Sequence, residues 1–161
     1  MILGNALSLY IAPVGTSGIR EPRNSIELKE NFGVIDDKFA GNPKKIDRSV
    51  MIVGTTPYAM AKDAGIELPE VALGENILLS FDPHSLEIGT QLAIGEAILE
   101  ITSACTLCSH LSQYHKDLPK LILKHRGIYC KIVKSGIITK NDSVELLKEK
   151  EIAWEDSFYC F

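Results

Sequence analysis

With 161 residues, 45% apolar and 24% charged, the chain has ordinary globular composition and lies far from the low-hydrophobicity signature of disorder. A formal charge of −4 and a pI near 5.6 argue against a nucleic-acid module, which needs a surplus of Lys and Arg on one face. No apolar run reaches the ~18–20 residues of a membrane span and Met1 to Ala12 is no signal leader, so the cytoplasm is the expected compartment.

The length predicts one domain over 1–161, with a core over about 6–147 and a tail over 148–161. In chain order, Leu7 to Ala12 reads as a first strand, closed by the Pro13-Val14-Gly15 turn. Gly15 to Asn24, poor in apolar side chains, is the expected mobile loop. Gly33 to Gly41 forms a glycine-bounded turn rich in acids, whose bland reading is a solvated hairpin tip. Ser49 to Val53 is a strand, and Pro57 to Ala64 is an Ala-rich helix stopped by Gly65. Leu73-Gly74-Glu75 is a turn that opens a strand over Asn76 to Phe81, and Asp82-Pro83-His84 turns the chain again.

Ala97 to Thr102 is a further strand, followed by a helical stretch from Thr106 to His125 that Pro119 interrupts, with Asp117 placed to cap the new turn. Gly127 to Val133 and Val144 to Leu147 are strands, separated by turns at Lys134-Ser135-Gly136 and Lys140-Asn141-Asp142. Many short strands with frequent turns predict a barrel or a sandwich. Past Lys150, Trp154, Phe158, Tyr159 and Phe161 suggest a tail that docks on the body or on a second copy, as a homodimer would use.

Four cysteines at uneven spacing do not make a disulfide framework and fit a reducing compartment. The segment Ser103 to His110 stands between a strand and a helix start, where aligned N–H groups favour a thiolate over a thiol. This singles out Cys108 as nucleophile, sulfur carrier or metal ligand, with Cys105 an accessory thiol. Cys130 and Cys160 read as space-filling residues. An alternative is a non-catalytic barrel with structural zinc at Cys105, Cys108, His110 and His115, or a dithiol pair, although the two histidines, five apart, lie on different sides of a helical turn.

In order and spacing these pieces resemble the MOSC family, named for the C-terminal domain of molybdenum cofactor sulfurases, in its compact stand-alone form. Gly33-Val34-Ile35-Asp36-Asp37-Lys38 resembles the family's Gly-x-x-Gly-Asp-x turn, with Asp36 where Gly is usual. Gly74-Glu75-Asn76 resembles its Gly-Glu-Asn motif, Cys108 its signature cysteine, and Arg126-Gly127-Ile128-Tyr129 with Gly136 and Asp142 its closing strands.

The resemblance implies a mainly β fold, a closed, largely antiparallel β-barrel (MOSC or pyruvate-kinase-barrel type) with short helical excursions. It implies that Cys108 carries sulfur as a persulfide or ligates molybdenum in a bound molybdopterin, the molybdenum cofactor. Asp37, Lys38, Arg48, Glu75, Asn76, Arg126 and Gly127 are the residues expected around that cofactor, with Lys38, Arg48 and Arg126 on its phosphate. A cysteine desulfurase or a molybdoenzyme is the expected partner, with an electron donor if N-hydroxylated substrates are reduced.

Overall fold

In the computed structural model, residues 1–105 and 109–148 are described, and of 109, 110 and 148 only the backbone. Along them run β1 (Ile2–Ile11), β2 (Glu21–Arg23), β3 (Ser25–Lys29), β4 (Gly33–Val34), a 3₁₀ turn (Pro43–Arg48), β5 (Val50–Gly54) and α1 (Thr56–Asp63). There follow β6 (Ile77–Leu79), β7 (Gln91–Ile94), β8 (Ala97–Ala104), a second 3₁₀ turn (Ser109–Gln113), α2 (Leu118–Leu121), β9 (Ile128–Lys134), β10 (Gly136–Thr139) and β11 (Ser143–Lys148).

Seven strands form a ring in the order β11-β7-β8-β9-β5-β6-β1, which the pairing of β1 with β11 closes; β2 hangs on β1 outside it. The fold is therefore a mainly β closed barrel with few short helices. Its pairings are antiparallel except β5 with β6, which the α1 crossover makes parallel. A small sheet, β10-β3-β4, packs beside the ring. No helix among the described residues is long and apolar enough to cross a membrane.

Burial explains the strand patterns. Inside the ring, Leu9, Val50, Ile52, Ile77, Leu79, Leu92, Ile94, Leu99, Cys130 and Val144 form the core. A second apolar cluster lies outside the wall of β5 and β9, where Met51, Val53, Leu73 and Cys105 meet Ala61 of α1, Leu111, and Leu118 of α2. Covered on both faces, β5 is apolar at every position and reads Val-Met-Ile-Val. The strand β9 alternates instead, with Ile128, Cys130 and Ile132 buried and Tyr129 and Lys131 half-buried outside.

Six expected strands are present as β1, β5, β6, β8, β9 and β11, and the expected helix over Pro57 to Ala64 is α1. Three differences stand out. The expected loop over Gly15 to Asn24 ends in β2, because Leu9, Tyr10 and Ile11 of β1 offer a free edge to Arg23, Pro22 and Glu21. In the expected helix over 106–125, the described parts are one 3₁₀ turn and the single turn α2, with Pro119 in its first turn; 106–108 lie outside the described residues. Asp117 stands at the cap position, but its side chain makes no capping bond. Of the tail expected over 148–161, residues 149–161 also lie outside the described residues.

Candidate functional site

A cleft of ≈ 870 Å³ opens on the outer face of β5 and β9. Met51, Tyr129 and Cys105 line it from the barrel side. Its walls are the segments Gly18–Arg20, Phe39, Lys45 with Arg48, and Pro69–Gly74, and Gln113 and Tyr114 close one end. The side chains come from elements that the chain builds for other reasons. The 3₁₀ turn that carries Lys45 and Arg48 starts where Asn42 Oδ1 accepts from Lys44 N at 3.0 Å, and the Thr102 hydroxyl ties it to β8 by donating to Asp47 O. The outward alternation of β9 sends Tyr129 into the cleft.

Cys105 follows β8 directly and is 8% exposed. Its amide donates to Gly127 O at 2.8 Å, and the Tyr129 hydroxyl donates to its Sγ at 3.8 Å. The Arg48 guanidinium lies over the Tyr129 ring, 5.7 Å from its centroid. Cation, aromatic ring and thiol therefore stand in one chain of contacts. Gly127 serves this by its smallness, since a Cβ there would come 2.5 Å from Met51 Sδ.

Behind the wall lies a buried polar network. Asp37 Oδ2 accepts from Ala12 N at 3.0 Å and from Arg20 Nη1 at 2.6 Å, while Oδ1 accepts from Phe39 N at 2.8 Å. Asn76 Oδ1 accepts from Met51 N at 3.0 Å, and Nδ2 donates to Tyr10 O at 3.2 Å, so one amide stitches β5, β6 and β1 together. Glu75, fully buried, accepts from the Tyr58 hydroxyl at 2.7 and 2.9 Å. Burial raises its pKa above the usual carboxylate range, the Tyr58 hydrogen bond opposing this. Burial and the neighbouring carboxylate push the Tyr58 hydroxyl up as well. Tyr10, which donates to Glu70 Oε1 at 2.6 Å, is raised to about 12 by burial and then by that bond.

Of the residues nominated from sequence, Arg48 and Cys105 line the cleft. Asp37, Glu75 and Asn76 are buried and bonded into the protein, and none lines it. Asp37 is thus no part of a solvated hairpin tip. Asp36 takes φ +67°, the left-handed conformation that explains a glycine preference there, and the turn keeps its form around an aspartate. Lys38 Nζ donates to Thr16 O at 2.7 Å outside the cleft lining.

Arg126 is buried away from the cleft, and its Nη2 donates to Pro119 O, holding α2. Cys108 and the His110 side chain lie outside the described residues. His115 Nδ1 accepts from Asp117 N at 3.0 Å, and no group of three or more metal-ligating side chains occurs among the described residues. Cys130 sits in the core as a space-filling thiol, its pKa raised by burial.

The sequence reading missed Arg20, Phe39 and Lys45 as lining residues, and Tyr129 as the ring between cation and thiol. Only Tyr129 had a signal, its alternation with Ile128 and Cys130. Chemically, the cleft combines three cations (Arg20, Lys45 and Arg48), one carboxylate (Glu70), aromatic rings and a thiol. Cations suit an anionic ligand, and a thiol suits a soft metal.

The MOSC domain profile matches residues 36–145. YuaD from Bacillus subtilis superposes with a TM-score of 0.71 at 21% identity, over 88% of this chain and 93% of that one. YiiM from Geobacillus stearothermophilus gives 0.68 at 18% identity, over 89% and 74%, and YiiM from Escherichia coli 0.68 at 17%, over 91% and 71%. At such identities the likeness shows the fold alone. Among curated protein sequences none matches.

Proposed function

We propose, from the premise that this chain belongs to the MOSC domain family, that it is a sulfur-carrier or molybdenum-cofactor protein whose reacting atom is the sulfur of Cys108. The family's link with molybdenum cofactor sulfurases supports the general class. The observation that carries the finer reading is the cleft beside Cys105, three residues before Cys108, which Lys45 lines and where Arg48 lies over the Tyr129 ring.

As a carrier, the Cys108 thiolate attacks the outer sulfur of a donor persulfide. A new S–S bond forms on Cys108, the donor's S–S bond breaks, and the donor leaves as a thiolate. A cysteine desulfurase is the donor class that this step needs. Lys45 and Arg48 would hold the phosphate of a pterin cofactor, with Tyr129 and Phe39 as apolar neighbours for its rings. When bound, molybdopterin would supply two-electron redox chemistry at molybdenum, with Cys108 as protein ligand and N-hydroxylated compounds as substrate class. Glu75 and Asn76 act from behind, holding the cleft wall in place.

Protein purified anaerobically from a molybdopterin-producing host is expected to carry molybdenum and pterin fluorescence, or to gain one sulfur atom on Cys108 after incubation with a cysteine desulfurase and cysteine. Cys108→Ser should abolish either signal while its thermal transition stays within a few degrees. Wild-type protein with neither signal, or a Cys108→Ser variant that keeps it, overturns the proposal.

A further inference from the structure

We infer that Arg20 is a positioning residue: it clasps together the three loop segments that wall the cleft and so controls access to Cys105. The segments are 13–20 after β1, 35–40 after β4, and 69–74 before β6. One guanidinium reaches all three. Its Nη1 donates to Asp37 Oδ2 at 2.6 Å, its Nε donates to Gly74 O at 2.9 Å, and its plane lies 5.5 Å from the Phe39 centroid. The ion pair is sheltered, with side-chain exposures of 16% for Arg20 and 4% for Asp37. Asp37 is held in turn by Ala12 N and Phe39 N, so the clasp is anchored to the end of β1.

Gly18 and Ile19, just before Arg20, line one wall, and Val71 to Gly74 line another. The reach of the side chain therefore sets their separation. A flat fork with two fixed donor directions can satisfy a carboxylate and a carbonyl at once, which a lysine ammonium cannot do in the same geometry. With Nη1 and Nε engaged, Arg20 shapes the cleft. Lys45 and Arg48, exposed and in no ion pair with a carboxylate among the described residues, read the ligand's charge. This division of labour rests on the anionic-ligand reading above; the clasp itself needs no ligand.

The test is alkylation of Cys105 by iodoacetamide in the native Cys108→Ser protein, mapped by mass spectrometry, with fully buried Cys130 as internal control. Arg20→Ala is expected to speed Cys105 modification by about tenfold or more and to leave Cys130 unreactive. Arg20→Lys should fall between, because it can keep the Asp37 ion pair but loses the Gly74 bond. Asp37→Asn should add less to Arg20→Ala than it adds to the Cys108→Ser background alone, as expected for two partners of one interaction when Asp37 also holds the Ala12 and Phe39 amides. Unchanged Cys105 reactivity in Arg20→Ala, or equal acceleration at Cys130 from global opening, overturns the clasp. Both outcomes are read without persulfide or cofactor, so failure of the proposed function leaves this result standing.

Discussion

Among the described residues, Glu75 has no cation at hydrogen-bond distance; it is fully buried, bonded to the Tyr58 hydroxyl and its local backbone, with the Arg20 charge acting from farther off. Its carboxyl pKa is raised in the folded state, so just above the ordinary carboxylate range the folded protein holds a proton that the unfolded chain has released. Its contribution to stability therefore falls as pH rises through that window. Glu75→Gln, which keeps an acceptor for Tyr58, should remove this component, as read from urea midpoints between about pH 5 and 8. An unchanged pH dependence would show that the buried carboxyl does not titrate there. At this scale the sequence was legible in part. Arg48 and Cys105 were legible because exposed cations and a thiol beside a turn announce chemistry; Asp37, Glu75 and Asn76 were singled out, but nothing in the residues told ligand contact from internal bonding. Arg20 carried no signal, since its partner Asp37 lies seventeen residues away, beyond β2, β3 and β4.

Strands are legible where one element buries enough apolar surface alone. Val-Met-Ile-Val in β5 announces itself, whereas β3 and β7 bury two residues each and β10 one, and all three exist by pairing with neighbours the sequence does not reveal. Asn76 shows how elements are joined when pairing is not enough. Its side chain bonds Met51 N of β5 and Tyr10 O of β1, and its backbone N donates to Met51 O at 2.9 Å. Asn76→Ala would leave Met51 N and Tyr10 O without it in the interior, at a cost of about 2–4 kcal/mol by denaturant titration. A loss below about 1 kcal/mol would mean that the joint relaxes around the gap.

The ring as a whole closes at the seam whose strands lie farthest apart in sequence, where Ile2 pairs with Glu145 and Asn5 with Ser143. Removing 143–161 would uncover the edges of both β1 and β7, and the shortened chain is expected to aggregate on expression. A soluble, monomeric product with native-like circular dichroism would refute this. The same seam orders events during folding. Until the last strand arrives, the preceding six can form at most an open, curling sheet with β1 waiting at its rim. Closure brings together segments from opposite ends of the described residues, a high contact order that should make refolding slow for a molecule of this size.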